Sequence, residues 1–310
     1  MITDFAADVP FTQVGDKLKE HYGMSVPTSS ARLIDYKHAE KIHLKQQEDE
    51  GLNNFLYAPM IIAQTDGTMV PIVTQKDFPN DADPIDKRKN KELIWKEARL
   101  TLAHTVGSKT PVFAANLGEF VSETGKQMRQ CVNKIGYNEE RTHVHFLGDG
   151  APWIQGQVEE QFGTQATYLV DFYHTCDYLA AASRMCDPEA PSKWLEIQKN
   201  YLKSGELDRV LIELKAHEED PSTPEGDAPV RQCYRYISNR RMHMNYKKAL
   251  DQGLPIGSGE IESAHRYIIQ KRLKIAGAWW KEDHARKMLS LRTRRANKEW
   301  ESYWGKNLAA

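Results

Sequence analysis

Three short segments carry carboxylates in settings suited to metal-assisted phosphoryl chemistry. Asp66 is followed by Gly67, Asp149 lies between Gly148 and Gly150, and Glu260 and Glu262 follow Gly257-Ser258-Gly259. Carboxylate oxygens are hard ligands for Mg2+ or Mn2+, and Mg2+ keeps several waters in its shell. Two such ions about 4 Å apart activate a water or a 3′-hydroxyl and stabilise the leaving oxygen of a phosphodiester. The flanking glycines let the backbone bend and leave room for a phosphate. Each Asp also has an ordinary use, because Asp-Gly is a turn signal and Asp caps helices at strand-to-helix junctions. The metal-binding reading therefore depends on elements that bring the acids together.

Phe11, Val14, Leu18 and Tyr22 recur at helical spacing and stop at Gly23. A second helix follows the break at residues 26–30 and runs from Ala31 to Gln47. Two helices across a short turn fit a helix-turn-helix, and equally an ordinary helical hairpin. Residues 58–73 read as two strand-like runs around Asp66-Gly67, which is a hairpin signal. Residues 76–92 are polar and read as a surface loop. Strands are expected over 99–106, 112–115, 143–147 and 166–170. Helices are expected over 119–135, 153–162, 176–185 and 194–216, then again from Val230 and from Glu260. Residues 221–229 form an acidic break between them.

The order strand, strand, strand, helix, strand, helix, strand is that of a ribonuclease-H-like α/β core with a mixed sheet. In such a sheet the strands bearing Asp66 and Asp149 are neighbours, and carboxylates at their ends converge at one edge. The third acid belongs on a late helix. Glu260 and Glu262 lie about 200° apart around a helix, so only one can face a metal. Glu262 is favoured because it shares a face with His265, Arg266 and Ile269. Glu260 sits in the first turn, where it favours the helix dipole, and is kept as the alternative third acid.

The net charge of −1 hides an asymmetry. Residues 263–298 hold 11 Lys or Arg against two acids, whereas residues 204–227 hold eight acids. A strongly basic segment suggests a polyanion as partner. Arg266, Lys271, Arg272 and Lys274 follow the third acid, where a DNA backbone must lie, and Lys and Arg supply most sequence-independent affinity. Trp279 and Trp280 suit stacking on an unpaired base at a cleaved end. The four cysteines show no CxxC spacing, which disfavours a disulfide framework and a cysteine zinc site and points to the reducing cytoplasm. No run approaches the roughly 18 apolar residues of a membrane helix, and Asp4 and Asp8 argue against a secretory signal. GxGxxG, Walker-type, GxSxG and HExxH motifs are absent, so no small-molecule cofactor is expected.

Several segments together resemble a known family. They are Asp66-Gly67-Thr68, the run from His145 through Gly148-Asp149-Gly150 to Ile154, Asp171-Phe172-Tyr173-His174, and Ile256 through Glu262 to Ser263. Lys271-Arg272-Leu273-Lys274 with Gly277 and Trp280 extend the pattern. In this order they resemble bacterial insertion-sequence transposases of the acidic-triad (DDE) class. The resemblance is to the Kra-type group, related to the Lre-type and more distantly to Mutator-like elements, and spans about residues 10–304. It implies DNA strand transfer by Asp66, Asp149 and Glu262 with two Mg2+ (or Mn2+) ions, and an all-helical insertion between Asp171 and Glu262. It also makes Asp171 a candidate fourth metal ligand and His174 a candidate phosphate contact, against a helix cap and packing on Trp153 respectively.

The expected organisation is a partial, helix-turn-helix-like DNA-binding segment over 1–54, a catalytic core over 55–175 and a helical insertion over 176–255. A C-terminal region over 256–310 carries the third acid and the basic helices. The resemblance implies double-stranded DNA as partner, both terminal repeats and target, and a homo-oligomer on DNA. No membrane partner is expected, and the location is cytoplasmic, with the nucleoid. Two alternatives remain at this point: a nuclease of the same core that cuts without joining, and an inactive DNA-binding remnant.

Overall fold

The computed structural model describes residues 1–52, 56–75, 91–118 and 120–308. Its strands are β1 (Met60–Gln75), β2 (Lys91–Thr105), β3 (Val112–Leu117), β4 (His143–Gly148) and β5 (Ala166–Val170). They form one mixed sheet in the order β3-β2-β1-β4-β5. β2 and β3 are antiparallel, with Ala98 opposite Leu117 and Ala103 opposite Val112. β4 and β5 are parallel, with Val144 opposite Ala166 and Gly148 opposite Val170. Five consecutive residues of β4, Val144 to Gly148, are buried, as a parallel strand covered on both faces requires. The protein is thus α/β, as expected.

The hairpin expected at Asp66-Gly67 does not form, and β1 runs straight through both residues. A Cβ at position 67 would collide with the Glu97 carboxylate of β2. The glycine therefore makes room for a neighbouring side chain instead of turning the chain. Of the loop expected over 76–92, residues 76–90 lie outside the described residues, and Lys91 and Glu92 already belong to β2. Glu119, the expected start of the next helix, also lies outside them.

The helices begin with α1 (Ile2–Ala6), α2 (Phe11–Tyr22), α3 (Thr28–Glu48), α4 (Val121–Ile135) and α5 (Pro152–Phe162). Next come α6 (Phe172–Cys186), α7 (Pro191–Ser204), α8 (Leu207–Ala216), α9 (Pro229–Arg240) and α10 (Tyr246–Asp251). α11 (Gly259–Ala264) passes through a π-helical turn (His265–Gln270) into α12 (Lys271–Leu273), before α13 (Glu282–Ala296) and α14 (Trp300–Leu308). No helix among the described residues is long and apolar enough to cross a membrane.

The chain divides into two compact units. One comprises residues 1–61, 65–142 and 260–310, and the other residues 62–64 and 143–259. In the first, Val70, Ile72, Leu100, Leu102 and Leu117 of the sheet share a core with Ile42, Ile261, Ile268, Leu273, Met288 and Leu289. α3 buries the stripe Ala31, Asp35, Ala39 and Ile42. Its flank is tied down by His38 Nδ1 to the Tyr303 hydroxyl and His43 Nδ1 to Ser290 Oγ, each at 2.8 Å. Lys37, Lys41 and Lys45 are left exposed.

The second unit is β4, α5 and β5 followed by α6 to α10, an all-helical segment where the insertion was expected. The helix expected over 194–216 is two helices, because Gly205 adopts φ 81° and closes α7 with a left-handed cap. The acidic break is organised: both Glu219 oxygens accept backbone N–H groups, of Val230 and Arg231, at 2.8 Å. That carboxylate caps α9 and suits the positive end of its dipole.

Candidate active site

In the second unit, Asp149 directly follows β4 and opens the turn into α5. Asp149 Oδ1 accepts the backbone N–H of Ala151 at 2.8 Å, which fixes the side chain at the helix start. Three side chains satisfy the turn's remaining backbone groups. The Tyr236 hydroxyl donates to the Asp149 carbonyl at 2.6 Å, and the Gly150 N–H donates to the Tyr168 hydroxyl at 3.0 Å. Arg240 Nε donates to the Gly150 carbonyl at 2.8 Å. Gly150 has φ 87°, and a Cβ there would lie 2.5 Å from Arg240 Nε. Both the conformation and the close approach thus require glycine. Asp149 is half-buried, and among the described residues no protein donor reaches its second oxygen.

Asp171 is 2% exposed and caps α6. Its Oδ1 accepts the His174 N–H at 2.8 Å, and its Oδ2 accepts both the backbone N–H and the hydroxyl of Ser258. Both oxygens are engaged by protein donors, so the geometry is that of a cap which also pins the Gly257-Ser258 loop. His145 strengthens the same anchor, with Nε2 2.8 Å from the Pro255 carbonyl. Burial holds its pKa below the ordinary histidine value, so the neutral ring donates there. His174 meets the rings of Tyr178 and Tyr236 edge-on, at 5.6 and 5.7 Å between centroids.

In the first unit, Asp66 lies inside β1 with its carboxylate one-third exposed, 3.5 Å from His265 Nε2. Burial pushes the His265 pKa down to about 4, against the pull of the Asp66 backbone carbonyl. The ring is therefore neutral at neutral pH. Glu260 Oε2 lies 2.8 Å from His104 Nε2, which ties the start of α11 to β2. Glu262 is exposed beside Ser263 and Arg266. His265 and Ile269, expected on its face, are buried instead. The π-helical turn widens the repeat and rotates these two residues inward.

The basic residues separate into two groups. Arg266, Lys271 and Lys274 are exposed, and Lys274 Nζ donates to Thr68 Oγ1 at 2.7 Å. Arg272, expected on a phosphate track, is instead a core residue, 2% exposed. Its Nε donates to the Ala6 carbonyl at 2.9 Å, and its guanidinium lies 4.8 Å from the ring centroids of both Phe11 and Trp280. Burial lowers its pKa to about 10, so it stays charged and stacked. Trp280, expected to stack on a base, is 4% exposed. Its Nε1 donates to the Leu273 carbonyl, and its own carbonyl accepts the Val73 N–H. Of this adjacent pair, Trp279 is the one that faces solvent. Among the described residues, no three His, Cys, Asp or Glu side chains form a ready metal cage.

Residues 113–305 match the model of an uncharacterised protein family, UPF0236. The chain belongs to UPF0236. The stretch matched to UPF0236 includes Asp149, Asp171, Glu262 and the basic helices, and Asp66 precedes it. No curated protein matches the chain.

Tyr168, Tyr236 and Arg240, which build the Asp149 turn, carry no sequence signal, nor does His104, whereas His145 and Ser258 stand inside the quoted motifs without an assigned role. Ser258 lies inside the glycine-rich motif and was within reach. Tyr236 and Arg240 act at sequence separations of 87 and 90 residues, which no local pattern reveals.

Proposed function

We propose that the chain is a DNA transposase of the acidic-triad class, cleaving phosphodiesters and joining strands at the ends of an insertion sequence. Asp66, Asp149 and Glu262 are the reacting carboxylates. The observation that carries the reading is the strand order β3-β2-β1-β4-β5, in which β1 and β4 are neighbours and each brings one acid. A ribonuclease-H-like core, in which the strands bearing these two acids lie side by side, is the finer fold that this reading proposes. Glu262 serves as third acid because Glu260 is held by His104.

Mg2+ or Mn2+ is the cofactor of this reading, and the carboxylates match its preference for hard oxygen ligands. Mg2+ is usually held by one or two carboxylates together with substrate phosphates, not by an all-protein cage. The donor set can thus be completed by DNA. When bound, such ions supply positive charge for the attacking and leaving oxygens. The chain's own side chains do the rest. The braced turn holds Asp149 through the Ala151 N–H on one oxygen, and among the described residues no protein donor occupies the other. Arg266, Lys271 and Lys274 neutralise phosphates, and the exposed ring of Trp279 stacks on a base. One P–O bond forms with the incoming hydroxyl, whose proton leaves to solvent, as the opposite P–O bond breaks and its leaving oxygen takes a proton from solvent. Double-stranded DNA is the partner, bound by a homo-oligomer at the nucleoid.

The test is incubation of the full chain with DNA carrying the element's ends in Mg2+, and separately with a pre-cleaved end and a target duplex. The reading expects cutting in the first reaction and joined product in the second. Cutting without joining would leave a nuclease, and neither product would remove the enzyme reading.

A further inference from the structure

We propose that Arg240 is a phosphate-contacting residue at the Asp149 turn, presented by the helical segment and not by the basic C-terminal helices. The inference rests on the reading of Asp149 as a reacting acid, and on four observations within one unit. Arg240 lies four residues after Tyr236 on α9, so both project from the same side of the helix. Its Nε donates to the Gly150 carbonyl at 2.8 Å, and its Nη1 donates to the Tyr236 carbonyl at 3.2 Å. The guanidinium lies 4.1 Å from the centroid of the Tyr236 ring. That ring stacks on Tyr178 at 4.1 Å and 14°.

The fourth observation concerns charge. Arg231 and Arg235 of α9 pair with Glu225, and the following Arg241 pairs with Asp208. Arg240, among the described residues, pairs with no carboxylate. Its Nη2 has no protein partner and is not sealed from solvent. A cation held by two carbonyls and an aromatic face, yet left unneutralised, is a preorganised anion site. The planar fork suits a phosphodiester oxygen, and its fixed orientation means little freedom is lost when the phosphate arrives. The turn it grips carries Asp149, so the anion it meets is a phosphate of the DNA under reaction.

The test is equilibrium binding of a short fluorescein-labelled DNA duplex to the full chain, read by anisotropy across a salt series without divalent metal. R240Q is expected to bind about tenfold more weakly than wild type, as the loss of one charge-assisted hydrogen bond implies. The slope of log affinity against log salt should fall by about one. R240K, which keeps the charge, should retain the wild-type slope. If R240Q melts below the assay temperature, R240M, which keeps the apolar stem without the charge, takes its place: a slope reduced by about one supports the charge role, and a wild-type slope overturns it. Wild-type affinity and slope in folded R240Q would overturn the inference. Binding needs no cleavage, so a weakened R240Q in a chain that never cuts would keep the phosphate contact and remove the transposase reading. A cutting chain with unaltered R240Q binding would do the reverse.

Discussion

Asp35 offers a sharp test of how the N-terminal helices are held. It is fully buried on α3, and neither carboxylate oxygen has a hydrogen-bond partner. Burial pushes its pKa up from 3.8 to about 7, opposed by the nearby charge of Arg272. The native state therefore binds this proton more tightly than the unfolded chain does. Stability from this group is fully present below about pH 4 and is lost as pH rises through about 7. A difference of about three pKa units corresponds to about 4 kcal/mol, which is a large share of ordinary domain stability. Asn keeps the shape of the acid without its charge. In urea unfolding at about pH 4, D35N and wild type should agree within about 1 kcal/mol; at about pH 8.5 the variant should be more stable by about 3–4 kcal/mol. Parallel pH profiles for the two proteins, or a less stable variant at the higher pH, would refute the reasoning.

Other outcomes follow from the same contacts. Gly150→Ala forces a Cβ into the left-handed region and onto Arg240, and should cost about 2–4 kcal/mol, read by denaturant midpoint. Trp280→Ala should cost about 3–5 kcal/mol because the ring is buried against Arg272. Trp279→Ala should change stability by less than about 0.5 kcal/mol but weaken binding to single-stranded DNA ends. Glu260→Gln should retain at least a tenth of the cleavage rate, and Glu262→Gln should lose about a thousandfold, measured in the same cleavage assay.

The strands of the parallel pair were legible because β4 and β5 are short apolar runs ended by turn residues. The continuity of β1 was not. Gly67 looks like a turn residue until the Glu97 side chain from the next strand is seen to need its space. The basic segment was legible as a charge surplus, but charge alone does not say which way a residue faces. Arg272 and Trp280 turn inward to stack on each other, while Lys271, Lys274 and Trp279 stay outside. The helical period assigned His265 to the face of Glu262, and the π-helical turn altered that phase. Asp171 combined a cap with an acid at a strand end, and only the position of Ser258 shows where both its oxygens go.

The central claim is that three carboxylates distant in sequence act in one reaction on DNA. The most direct measurement is Mg2+-dependent cutting of DNA bearing the element's ends by wild type, D149N and E262Q, with thermal midpoints taken alongside. The account predicts that both variants fold and bind DNA but lose cutting by about a thousandfold or more. Cutting at the wild-type rate by either folded variant would contradict it.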